Sequence, residues 1–157
     1  LIVGLGSIGL LMGEGLKAMG YKVYGCDLIS ERIELAKKMG IEPFDFSDEV
    51  DAVFMTSGAD KAIDTAFKAV RMGGKILVFS STPLSNGYPN NEIYYKELTV
   101  MGSYSPSPAD LKDSYELLVS KKVNVKNLTT VYPLEKIQQA FDDTVANKIF
   151  KAYIKIA

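Results

Sequence analysis

The chain opens Leu1-Ile2-Val3-Gly4-Leu5-Gly6-Ser7-Ile8-Gly9, an apolar strand end that runs straight into three glycines at G-x-G-x-x-G spacing. Each glycine answers a separate steric demand of a strand-to-helix turn. Gly4 permits the tight turn, Gly6 lets the backbone approach a diphosphate, and Gly9 lets the next helix pack closely on the sheet.

The spacing on its own is weak, because glycine is common; the surrounding sequence supplies the specificity. Ile8 to Met19 reads as a helix, and Asp27 ends the next β-rich run, Tyr21 to Cys26. Amides near Ser7 and Ile8 would face phosphates at the positive end of that helix, where the dipole adds roughly 0.3–1 kcal/mol per charge. Asp27 lies 23 positions after Gly4, close to the ~20 expected of the acid that grips an adenosine ribose. A carboxylate there accepts both ribose hydroxyls and repels a 2′-phosphate, so the predicted cofactor is NAD rather than NADP. Two plainer readings stand beside this one. The glycine turn could serve only to pack strand on helix, and Asp27 could serve only to cap the turn before Glu31.

The rest of the chain alternates in the same manner. Val50 to Met55, Lys75 to Phe79 and Leu98 to Gly102 are further strand candidates, bounded by Gly, Asp or Ser. Glu31 to Met39, closed by Gly40, and Lys61 to Met72, closed by Gly73-Gly74, have helical character. Ile63, Ala66, Phe67 and Val70 give the second of these one apolar face. Strands alternating with helices predict an α/β fold with a doubly wound parallel sheet, a Rossmann-type dinucleotide-binding fold. Ser107-Pro108 opens a further helix through about Lys121. Pro133-Leu134 opens another, with Leu134, Ile137, Ala140 and Phe141 on one side, and Lys151 to Ile156 reads as a half-buried final strand. The expected organisation is a single unit over 1–157, with the core at about 1–104 and a helix and strand extension at about 105–157.

Composition narrows the chemistry. With 18 basic and 19 acidic residues the formal net charge is -1, which gives no electrostatic footprint for nucleic acid or an anionic membrane. One cysteine, Cys26, excludes an intrachain disulfide, and with no histidine in the chain there is no Cys/His metal site to expect. No apolar run approaches the roughly 20 residues that span a bilayer, and no basic leader precedes a cleavage site. The expected setting is cytoplasmic, with a small molecule as partner.

Several separated motifs in order carry a family resemblance. Gly4-Leu5-Gly6-Ser7-Ile8-Gly9, Asp27 with Arg32-Ile33-Glu34-Leu35-Ala36-Lys37-Lys38-Met39-Gly40, Arg71-Met72-Gly73-Gly74-Lys75 and Glu97-Leu98-Thr99-Val100-Met101-Gly102-Ser103 closely resemble the zinc-dependent medium-chain alcohol and polyol dehydrogenases. The likeness extends through Pro133-Leu134-Glu135 and Ala140-Phe141 to the closing strand, and it covers roughly the second half of a family member. The resemblance implies that a catalytic half belongs before Leu1, that it carries the zinc with its Cys and His ligands, and that this chain alone is inactive. It implies hydride transfer between an alcohol or polyol carbon and the nicotinamide.

The resemblance also implies roles for single residues. Arg32 matches the basic residue at the adenosine ribose, its alternative being a solvated helix charge. Leu28 and Ser57 match positions on either side of the adenine, with Thr56 and Gly58 in the same loop. Ile8 matches the side chain that presses on the nicotinamide, although its helical spacing alone reads as core. Phe79, Ser80 and Ser81 match the strand end that meets the carboxamide, Ser80 standing where glycine is frequent. Ser103 and Ser105 match a second nicotinamide-side segment, and Lys151 a basic residue that reaches the pyrophosphate.

Two other classes compete: a stand-alone NAD-sensing regulatory domain and a methyltransferase-like nucleoside binder. In the resembled family the last strand of the cofactor sheet pairs with its twin, which predicts a homodimer through Leu98 to Gly102, with Asn86 to Glu92 as a rim. The competing expectation is that Thr129 to Ala157 exposes apolar surface and causes aggregation.

Overall fold

Ile2 and Val3 are adjacent, both are buried, and they point into opposite layers, as the period of two along a strand requires. A strand covered on both faces needs helices on both sides of its sheet. The computed structural model, which describes residues 1–81, 87–124 and 126–156, shows that arrangement.

The sheet runs through β1 (Ile2–Val3), β2 (Tyr24–Cys26), β3 (Glu42–Pro43), β4 (Val50–Met55), β5 (Val70–Val78) and β6 (Thr99–Gly102). All pairings are parallel and the spatial order is β3-β2-β1-β4-β5-β6. The chain therefore winds outward from β1 in one direction, returns, and winds outward in the other. Helices α1 (Ser7–Ala18) and α2 (Ser30–Lys38) cover one face through Ile2, Leu5, Leu10, Val23, Ala36 and Ile41. Helix α3 (Asp60–Ala69) covers the other with Ile63, Ala66 and Phe67 against Val3, Val53, Met55 and Ile76. The predicted doubly wound sheet is the observed one.

The boundaries differ in instructive places. The helix expected to reach Met72 ends at Ala69, because Val70 turns extended and pairs with Val50. Val70 keeps its place in the core, which is why the helical periodicity includes it. The second strand begins at Tyr24, not Tyr21. Four elements lie outside the sequence expectation: β3, whose two residues are both exposed, the short α4 (Asn90–Tyr95), a 3-10 turn at Lys126–Leu128, and β7 (Thr129–Pro133).

Helix α5 (Pro108–Val119) begins at the expected Ser107-Pro108 but has no buried residue. Helix α6 (Ile137–Val145) begins after a 3-10 turn at Leu134–Lys136, and of its expected apolar side only Ala140 is buried. Leu134, Ile137 and Phe141 stay exposed. Strand β8 (Lys151–Lys155) pairs in parallel with β7 as a separate two-stranded sheet, and it alternates as expected, with Ala152 and Ile154 half-buried. Leu128 and Phe150 join this small layer to the core face formed by α1 and α2. Asn86, where the expected rim begins, and Ala157 lie outside the described residues. Among the described residues, no helix is long and apolar enough to cross a membrane.

Candidate functional site

The order of the sheet reverses beside β1, and ligands of doubly wound sheets bind in the crevice outside the carboxyl ends of the strands at that reversal. The glycine loop occupies this position. Gly4 has φ +100°, its N–H donates to the Cys26 carbonyl at 2.9 Å, and a Cβ on it would lie 2.8 Å from the Ser57 Cβ. At Gly9 a Cβ would sit 2.0 Å from the Gly4 carbonyl oxygen and 2.8 Å from Thr56 Oγ1. Thr56 itself donates to that same carbonyl at 2.6 Å, so the end of β4 fixes the loop. Gly6 differs: nothing lies within 4 Å of the Cβ it lacks. The start of α1 carries no side-chain cap and no acidic residue in its first turn. Its helix-end amides and an open approach at Gly6 form a cradle suited to a diphosphate.

Asp27 stands at the end of β2 with its side chain only 7% exposed. Its Oδ2 accepts the Leu5 N–H at 2.6 Å, and its Oδ1 accepts the Ile29 N–H at 2.9 Å. The capping reading is therefore realised, since the second bond shapes the turn into α2. The first bond ties the carboxylate to the glycine loop. A carboxylate offers about four lone-pair sites, so both oxygens keep capacity for ribose hydroxyls. Arg32 lies beside it, Nη1 to Oδ2 at 3.5 Å, and its Nη2 donates to Asn147 Oδ1 at 2.8 Å. These contacts tie the Arg32 guanidinium, 25% exposed, to the end of β2 and to the turn after Val145. Neighbouring Leu28 is exposed. Burial, with the Asp27 charge second, pushes the Cys26 thiol up to about 11, which keeps it neutral.

The opposite wall comes from the ends of β4, β5 and β6. A Cβ on Gly58 would sit 2.5 Å from the Ser81 carbonyl oxygen, so these two loops touch. Phe79 and Ser80 N–H groups both donate to the Met55 carbonyl, at 3.0 and 3.2 Å. The Ser103 N–H donates to the Val78 carbonyl at 3.1 Å, which brings the end of β6 to the same rim. Thr56, Ser57, Gly58, Phe79, Ser80, Ser81 and Ser103 thus follow the carboxyl ends of adjacent strands. Ile8 is 51% exposed and Phe79 41%, so the core reading of Ile8 gives way to an apolar side chain left open at the loop. Ser105 is exposed with φ +61°.

Lys151 starts β8 and lines a hollow of about 280 Å³ with Ile137, Phe141 and Thr144; no hydrogen bond or ion pair among the described residues joins it to the glycine loop. A larger hollow of about 790 Å³ lies at the opposite, amino ends of the strands, among Leu1, Val50, Arg71 and Lys75, and contains none of the predicted site residues. The site is placed by the sheet reversal, not by this volume. Asn147 was missed by the sequence reading. Its only signal is a residue that tolerates the left-handed region, placed between a helix and a strand. Among the described residues no group of three or more His, Cys, Asp or Glu could hold a metal ion, and the residues present do not fit a zinc site.

Comparison with known proteins agrees with this geometry. The family described as zinc-binding dehydrogenase matches residues 7–120. The chain is similar to D-xylulose reductase A of Aspergillus oryzae, 32% identical over 98% of this chain and 49% of the relative. It is similar to sorbitol dehydrogenase 1 of Saccharomyces cerevisiae, 29% identical over 93% of this chain and 47% of the relative. Among solved structures, the alcohol dehydrogenase of Thermus sp. ATN1 superimposes with a TM-score of 0.89 at 21% identity, covering 99% of this chain and 50% of the other. The chain spans about half the length of the curated relatives it matches.

Proposed function

Because the chain belongs to the zinc-binding dehydrogenase family, we propose that it is the NAD-binding half of a zinc-type alcohol or polyol dehydrogenase. The observation that carries this reading is the buried Asp27 carboxylate, which is clamped to the glycine loop at the reversal of the sheet. When bound, the nicotinamide accepts a hydride from an alcohol carbon or returns it.

The residues of this chain supply binding and orientation. Amides at the start of α1 and the open approach at Gly6 hold the diphosphate, and Asp27 with Arg32 holds the adenosine ribose. Leu28 and Ser57 flank the adenine, with Thr56 and Gly58 shaping that loop. Ile8, with Phe79, Ser80 and Ser81, bounds the nicotinamide; Ser103 and Ser105 close the same side. Lys151 is proposed for the pyrophosphate on the resemblance alone. The zinc and the alcohol pocket are assigned to sequence outside these residues, and the core at about 1–104 with its extension at about 105–157 forms the cofactor unit. A two-fold dimer through β6 belongs to the same proposal. A regulatory NAD sensor is the weaker reading, because the named relatives are dehydrogenases and reductases.

Calorimetric titration with NAD(H) and NADP(H) tests the reading. At least about tenfold preference for NAD is expected, equivalent to about 1.4 kcal/mol, and it should narrow in Asp27→Ser. Equal or reversed affinity in the wild type would overturn the assignment of Asp27. The purified chain, with or without added zinc, is expected to oxidise no alcohol; sustained NADH production would refute that part.

A further inference from the structure

Arg32 is held from both sides. Its Nη1 faces Asp27 Oδ2 at 3.5 Å while its Nη2 donates to Asn147 Oδ1 at 2.8 Å, across 115 positions of sequence. The acceptor is itself fixed. Asn147 has φ +55°, and its N–H donates to the Thr144 carbonyl at 3.1 Å in the turn that leaves α6. The next N–H, Lys148, donates to the Asp143 carbonyl at 2.9 Å, and Asp143 Oδ2 accepts from the Tyr132 hydroxyl of β7 at 3.0 Å. Leu128 and Phe150, which immediately precede β7 and β8, belong to the same apolar cluster as Ile33 and Leu35 of α2. Asn147 is thereby presented to the guanidinium by a built scaffold.

We propose that Asn147 is a positioning residue that sets nucleotide specificity by restraining Arg32. The inference rests on the proposal that Asp27 receives the adenosine ribose. A guanidinium next to that ribose can act in two opposite ways. Held between Asp27 and Asn147, it has both terminal nitrogens engaged and stays beside the carboxylate. Released, it becomes the kind of arginine that accommodates a 2′-phosphate with two parallel hydrogen bonds. Asn147 selects the first arrangement. The extension therefore takes part in cofactor choice although it lies outside the nucleotide fold.

Asn147→Gly removes the amide while keeping a residue at ease in the left-handed region, and Asn147→Asp keeps an acceptor for Arg32. Fluorescence titrations of the chain with NADH and NADPH should show the NADH-over-NADPH ratio falling at least threefold in Asn147→Gly, mainly through tighter NADPH binding. The ratio should be retained in Asn147→Asp, and the Asn147→Gly effect should vanish in an Arg32→Ala background. NMR order parameters of the Arg32 Nε–H in the free chain should drop in Asn147→Gly, a readout that needs no nucleotide. An unchanged ratio, a shift that persists without Arg32, or an unchanged order parameter overturns the proposal. Wild-type chain that binds no NADH, yet shows Arg32 loosened by Asn147→Gly, overturns the parent reading and with it the specificity role.

Discussion

Gly6 and Gly9 stand three residues apart in one motif and have opposite reasons to be glycine. A methyl group at Gly9 would lie 2.0 Å from the carbonyl oxygen of Gly4, a backbone atom that cannot step aside without opening the loop. Gly9→Ala is expected to cost more than the ~1–3 kcal/mol typical of overpacked cores, read as a large drop in melting temperature. Gly6→Ala meets nothing within 4 Å and keeps a negative φ of -72°. Its stability cost should stay below about 1 kcal/mol, the scale of an N-cap preference, whereas NAD affinity should fall at least about tenfold as the methyl fills the diphosphate approach. Equal effects of the two variants on melting would contradict this division of roles. Cys26, with its thiol pushed up to about 11, should alkylate slowly at pH 8 and rapidly once the chain is unfolded in urea. Residues whose identity is dictated by backbone geometry, such as Gly4, Gly9 and Asp27, were legible in the sequence. Asn147 was not, because its partner is 115 positions away and no local pattern records that contact.

Among elements, legibility followed the strength of local chemistry. Helix α5 announces itself because Ser107 accepts the Asp110 N–H at 3.2 Å, Asp110 Oδ2 accepts the Ser107 N–H at 2.8 Å, and Pro108 takes the first helical position. The α3–β5 boundary was misread because Val70 satisfies both a helical and an extended burial pattern. Strand β3 and helix α4 bury none of their residues, so no apolar periodicity marked them. The capping box also gives a pH dependence. Hydrogen bonds from the Ser107 hydroxyl and N–H hold the Asp110 carboxyl below its ordinary value of 3.8. A depressed carboxyl contributes stability that is complete above the ordinary value and is lost as the pH falls through the lowered one. Protection factors of the amides at the start of α5, taken relative to the intrinsic exchange rate at each pH, should therefore fall only in that acid range, and Asp110→Asn should remove the fall. Loss of protection that begins near neutral pH would show that another group controls the end of the helix.

At the scale of the whole molecule, the buried core is concentrated in the six-stranded sheet and its helices, while helices α5 and α6 of the extension leave apolar faces open. Leu111, Tyr115 and Leu118 form one open face of α5, while Ile137, Phe141 and Val145 stay open on α6. Such surface favours the aggregation that competes with a defined dimer. The edge of the sheet argues for the dimer. Strand β6 pairs only with β5 among the described residues, and it has no charged residue between Thr99 and Gly102 to block a second strand. The alternation within β6 decides which variant tests this. Val100 packs against the core beneath α3, so a lysine there would report on folding as much as on pairing. Met101 is 44% exposed beside it, and Met101→Lys places the charge at the edge while the core is left intact. Light scattering at micromolar concentration should give a dimer for the wild type and a monomer for Met101→Lys, with similar melting temperatures. A monodisperse wild-type monomer would end the proposal. A Met101→Lys chain that remains dimeric would move the interface away from β6, to the open faces of α5 and α6.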